Sequence, residues 1–173
     1  IPGCKARNAS ETVQHCQKIA DFVKDGSEHS VGKFVSERRM FMESKGHGGV
    51  AVFVDGDNIN PAYAGRIRDL GESLGRLNVA RVYADAVRAT GWNSADGYRL
   101  IHAGSGKNAA DLLLSIEVME LVQTRDFSAI VLASSDGDFT HLALRLRERG
   151  LRVVGIGEGK APERFRAACS EFR

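Results

Sequence analysis

VFVDGDNI, residues 52–59, is a run of β-forming apolar residues that stops on two aspartates, Asp55 and Asp57. A second such run, AIVLASSDGDF at 129–139, stops on Asp136 and Asp138. Unbroken apolar strands of this kind read as strands of a parallel sheet covered on both faces. Between the two runs, SGKNAADLLL at 105–114 places Asp111 in the first turn of a predicted helix. In an open α/β sheet, ligands bind in the crevice outside the carboxyl ends of the strands. Acids delivered to that edge from three separate junctions repel one another unless a divalent cation lies between them. The pattern therefore points to a hard-metal site for Mg²⁺ or Mn²⁺, of the kind that handles phosphate.

Working outward, the strand GVAVFVD (49–55) leads to Asn60-Pro61, a cap and first-turn pair that opens a helix running to about Leu77. VARVYADA (79–86) reads as a strand, and 88–97, with Gly91, Trp92, Asn93 and Asp96, as an irregular loop. A short strand at 98–103, a helix at 108–122, a strand at 129–134, a helix at 138–149, a strand at 151–157 and a last helix from Pro162 complete the series. Strands alternating with helices imply an α/β fold: a mainly parallel central sheet in a three-layer α/β/α arrangement. The first 48 residues differ, holding five of the seven lysines. Val13, Cys16, Ile19, Ala20 and Val23 recur at helical spacing, and Val31, Phe34, Val35, Phe41 and Met42 form a looser second face. The expected division is an N-terminal helical segment at 1–48 and the α/β domain at 49–173. The segment reads as a lid or handle packed on the core, with a homodimer contact as the alternative.

The chain has 173 residues and a net charge of +2, so composition by itself does not announce a nucleic-acid binder. Three cysteines without CxxC spacing suggest free thiols in a reduced, cytoplasmic protein. No apolar run approaches the ~20 residues of a membrane helix, so no membrane partner is expected. His102 and His141 are isolated, which argues against a zinc cluster, and neither a Walker A sequence nor a G-x-S-x-G elbow is present.

Each acid also has a structural explanation. Asp55-Gly56 can turn the chain after a strand, with Asn58 capping. Asp111 falls at N3 if Asn108 is the N-cap, where a negative charge suits the helix dipole. Ser135, Asp136 or Asp138 can cap the next helix. Three such junctions all choosing acids favours the metal. Lys107 is either a phosphate ligand or a solvated lysine, and Trp92 either stacks a base or anchors its loop. Arg145, Arg147, Arg149 and Arg152 read as a solvated face before an RNA track. Cys169 reads as packing.

VDGDNI, GKNAADLLLSIEVMEL and VLASSDGDFTHLALRLRERGLRVVGIGEGKAPERFRAACSEF together resemble the NYN domain, in the LabA-like branch of the PIN-like nucleases, over about residues 50–172. The resemblance implies a PIN-like α/β/α sandwich and metal-dependent cleavage of RNA. By position it makes Asp55, Asp111 and Asp136 metal-binding aspartates, with Asp138 as the further acid of the S-x-D-x-D block. Asn58 matches the asparagine of the first motif, in contact with a metal-held water or a substrate phosphate. Glu117 stands where many relatives have a second helical aspartate. It lies about 120° round the helix from Asp111, which argues against its being a ligand.

The expected function is a Mg²⁺- or Mn²⁺-dependent endoribonuclease acting on single-stranded or looped RNA, with catalytic Asp55, Asp111, Asp136, Asp138 and Asn58. Lys107, Asn58, Ser135 and Trp92 are candidate substrate contacts. Two alternatives stand beside it. One is an RNA-binding or scaffold domain that cleaves nothing. The other is a haloacid dehalogenase-type phosphatase, because DGDNI superficially resembles that family's D-x-D block.

Overall fold

A computed structural model describes residues 48–173. The helices expected before Gly48, and their role as lid or dimer contact, lie outside the described residues. Six strands form one sheet: β1 (Gly49–Asp55), β2 (Leu77–Ala84), β3 (Arg99–His102), β4 (Phe127–Ala133), β5 (Arg152–Ile156) and β6 (Glu171–Phe172). Their order is β3-β2-β1-β4-β5-β6, and every neighbouring pair is parallel. The helices are α1 (Ala64–Leu74), α2 (Ala109–Thr124), α3 (Thr140–Glu148) and α4 (Glu163–Ala168).

The apolar run at 49–55 becomes the centre of the sheet because all seven of its residues are buried. Its side chains alternate between two cores. Val50, Val52 and Val54 meet Ile67 and Leu70 of α1 together with Val82 and Val131. Ala51 and Phe53 face the other layer, with Leu114 and Val118 of α2, Leu142 and Leu146 of α3 and Phe165 of α4. Helices on both faces of a parallel sheet make the expected three-layer sandwich. Strand order reverses between β1 and β4, so the crevice of a doubly wound sheet opens between their carboxyl ends. Both critical acid-bearing runs end there.

Three boundaries differ from the sequence reading. The helix expected to reach Leu77 stops at Leu74, because Gly75 takes φ +149°, and Leu77 instead begins β2 and pairs with Val50. The loop at 88–97 contains a short 3-10 turn, Thr90–Ser94. The last helix is only six residues long and gives way to β6, an edge strand whose Phe172 packs edge-on against Phe165 at 5.7 Å. Among the described residues no helix is long and apolar enough to cross a membrane.

Candidate active site

The switch point is built first from backbone. Val54 pairs with Ala133, so the next residues, Asp55 and Ser134, leave their strands side by side. Ser134 Oγ donates to Asp55 Oδ2 at 2.8 Å and accepts from the Asp136 backbone N–H at 2.9 Å. One hydroxyl thus ties the end of β1 to the turn after β4. Asp136 Oδ1 in turn accepts the Asp138 N–H at 2.8 Å and caps the 3-10 turn Gly137–Phe139. After Asp55 the chain crosses the end of β2 at Gly56, where a Cβ would stand 2.5 Å from Val82 Cγ1. Trp92 closes over this crossing and donates from Nε1 to both Gly56 O and Ile59 O, each at 3.2 Å.

On the far side of the pocket, α2 begins at Asn108, which adopts the left-handed conformation at φ 56° and makes no capping bond with its side chain. Asparagine tolerates this region better than most residues. The cap expected there is therefore present in position, not in hydrogen bonding. Asp111 follows in the first turn, as anticipated.

These elements enclose a pocket of about 180 Å³ lined by Asp55, Asp57, Asn58, Asn108, Asp111 and Asp136. Its electrostatics are those of crowded carboxylates. Burial, with only 2% of the residue exposed, pushes the Asp55 carboxyl from 3.8 up to about 7. The Ser134 hydroxyl and the Asn58 N–H oppose that rise, while Asp111 and Asp57 add to it. Asp111 is raised by burial first, then by Asp136, Asp138 and Asp57. The acids from the three junctions therefore do feel one another. Among the described residues, however, no three acidic, histidine or cysteine side chains are gathered closely enough to hold a metal ion as they stand. The donor chemistry, all hard carboxylate oxygen, is what Mg²⁺ or Mn²⁺ requires.

The remaining candidates separate. Asn58 lines the pocket. Asp138 is exposed, and its carboxylate lies 3.8 Å from the Arg164 guanidinium. Lys107 lines an adjoining hollow of about 410 Å³ with Asp57, Asp85 and Arg88. Trp92 offers no face to a base: it is 1% exposed and anchors the 56–59 loop, the second of its two sequence readings. Ser135 is likewise buried, its Oγ accepting the Glu158 N–H at 2.8 Å to hold the chain after β5. Glu117 is bound by Arg81 and by the Tyr83 hydroxyl, away from the pocket. Of the arginine run, Arg145 pairs with Glu148, Arg152 with Glu171, and Arg147 donates to the carbonyls that end α4. Burial pushes the Cys169 thiol up to about 11, so it packs and does not react.

One contributor escaped the sequence reading. Ser134 carries no signal beyond its place before Ser135 and Asp136, because a strand-terminal serine is commonplace. Asp57, read with Asp55 as an acid of that edge though not among the expected metal ligands, also belongs to the site. It lines the pocket and accepts the Asp85 N–H at 3.1 Å.

A doubly wound parallel sheet with carboxylates over its switch point defines a class of α/β domain that engages its ligand through acidic side chains at the strands' carboxyl edge. Residues 49–173 match the NYN domain, and the chain belongs to that family, which places it on a PIN-like nuclease fold. The structure is similar to a crystal structure of a protein of unknown function from Vibrio parahaemolyticus, with a TM-score of 0.57 and 18% identity. That match covers 72% of this chain and 91% of the other, and it speaks to the fold alone. No curated protein matches the chain.

Proposed function

We propose that this chain is a divalent-metal-dependent endoribonuclease of the LabA-like branch, acting in the cytoplasm on single-stranded or looped RNA. The observation that carries the reading is the convergence of Asp55, Asp111 and Asp136, with Asp57 beside them, on one pocket at the switch point of an NYN domain. Asp55, Asp111, Asp136 and Asp138 form the proposed metal-holding set. Mg²⁺ or Mn²⁺ bound there supplies a Lewis acid that offsets phosphate charge and makes water more acidic. The protein's own part is positional. Ser134 fixes the Asp55 carboxylate, and its bond to the Asp136 N–H fixes where the next acid leaves the strand. Asn58 reaches the scissile phosphate or the attacking water, and Lys107 takes a neighbouring phosphate at the rim. In-line attack of water on phosphorus breaks the bond to the 3′ oxygen, leaving a 5′-phosphate and a 3′-hydroxyl.

A second reading, an RNA-binding domain that cuts nothing, is favoured by one observation: among the described residues no three of the pocket's acids are placed to hold a metal ion as they stand. A labelled RNA panel incubated with Mg²⁺, Mn²⁺ or EDTA, with product ends mapped, separates the cases. Shortened chains with 5′-phosphate ends, absent in EDTA, support the nuclease. Retarded but intact RNA supports the binding domain, and inorganic phosphate released from intact chains supports a phosphatase.

A further inference from the structure

On the α1 side of the 56–63 loop, opposite the acids, lies a larger cleft of about 390 Å³. Its floor is apolar, formed by Ile59, Ile67 and Ile156, and Tyr63, Arg66 and Arg173 stand round it. Tyr63 is 45% exposed, a large aromatic ring offered to solvent at the mouth of a cavity. The Arg66 guanidinium lies 5.9 Å from that ring's centroid, and among the described residues it has no carboxylate partner. Arg173 pairs with Glu171, and the one acid on the cleft, Glu158, is paired with Lys160 at 2.9 Å. Among the described residues the rim therefore carries a positive charge with no carboxylate partner, set over an aromatic ring that is itself part-exposed to solvent.

The cleft and the acid pocket share no lining residue but adjoin along the chain, at Ile59 and Asn58. The Ile59 N–H donates to Asp55 O at 2.9 Å, and Asn58, between them, lines the acid side. One loop presents carboxylates on one flank and the aromatic-cationic cleft on the other. Apolar floor, exposed ring and adjacent cation are the requirements for an unpaired nucleobase and the phosphate attached to it. A purely apolar ligand would leave Arg66 without a partner, and a duplex would keep its bases stacked away from Tyr63.

We propose that this cleft is a nucleobase-binding subsite, in which Tyr63 stacks an unpaired base and Arg66 takes the adjoining phosphate, guiding a single strand over the 56–63 loop to the acids. The assignment rests on the nuclease reading for its geometry but is tested apart from cleavage. A fluorescent eight-nucleotide single-stranded RNA is titrated with the full chain in EDTA, for the parent and for Tyr63→Ala, Tyr63→Phe, Arg66→Ala and Arg125→Ala. Arg125 is exposed at the opposite edge of the sheet and serves as the control.

Tyr63→Ala should weaken binding about tenfold or more, as loss of one aromatic–base stack does, while Tyr63→Phe stays near the parent. Arg66→Ala should weaken binding and lower the salt dependence by about one phosphate contact. An oligonucleotide with an abasic position should bind the parent less well than the intact one, and that difference should vanish in Tyr63→Ala. Equal affinities for parent and Tyr63→Ala, or no RNA binding by the parent, would overturn the subsite. Tyr63-dependent binding with no cleavage under Mg²⁺ or Mn²⁺ would remove the nuclease and leave the subsite standing. Cleavage with a KM indifferent to Tyr63→Ala would do the reverse.

Discussion

Replacing Asp55 by asparagine should make the metal-free protein more stable at alkaline pH, although it removes a central acid. Burial lifts this carboxyl from 3.8 to about 7. Between those values the folded protein retains a proton that the unfolded chain has lost, so stability falls as pH rises through the window. Above pH 7 the full cost is present; below pH 4 it is absent. At about 1.4 kcal/mol per pH unit, holding the ionised group in the fold costs on the order of 4 kcal/mol. Asparagine carries no charge at any pH and keeps an oxygen for the Ser134 hydroxyl, but a neutral amide accepts that bond less strongly than a carboxylate does, at about 1 kcal/mol. The expected gain is therefore about 3 kcal/mol at pH 8.5, shrinking to nothing or a small loss at pH 4.5. Urea unfolding of both proteins in EDTA across that range measures it, and the difference between them cancels slopes from other acids. Parallel pH profiles for parent and Asp55→Asn, or a variant less stable at every pH, would refute the burial argument.

Asp136→Asn should abolish cleavage yet hold or raise the melting temperature, because the amide oxygen still accepts the Asp138 N–H while one repelling charge is gone; parallel RNA assays and thermal melts check it. Trp92→Phe should cost about 1–3 kcal/mol in denaturant unfolding, since the carbonyls of Gly56 and Ile59 both lose their donor in a buried place. Asn108→Ala should lose about 1 kcal/mol in the same assay while Asn108→Gly loses none, because alanine disfavours φ 56° more than asparagine does and glycine adopts it freely.

Most of the sheet was legible in the chain because burial on both faces leaves a plain mark. The 49–55 run is apolar until Asp55, and the structure buries every residue of it. Strand ends marked by acids also placed Asp55, Asp111 and Asp136 on one pocket, because a parallel sheet sends all its carboxyl ends to the same edge. What was not legible depends on contacts between distant residues. Nothing local to Ser134 announces a bond to Asp55, 79 positions away. Trp92 sat in a polar loop, where an aromatic reads equally as a ligand contact or a plug, and only the carbonyls of Gly56 and Ile59 decide between them. The end of α1 depended on Gly75, whose helix-breaking role was masked by apolar Leu77 at helical spacing. β6 is too short to show a period at all, being held by Val153, Val154 and Gly155 of its neighbour.

The account stands on the acids of the switch point sharing one divalent cation. Titrating Mn²⁺ into the parent and into Asp111→Asn and Asp136→Asn, with free Mn²⁺ followed by electron paramagnetic resonance, measures that sharing without any substrate. The parent should take up Mn²⁺ saturably, with each substitution weakening uptake by tenfold or more, as expected when a ligand charge of a hard-cation site is removed. Equal uptake by all three proteins, or none by the parent, would contradict it.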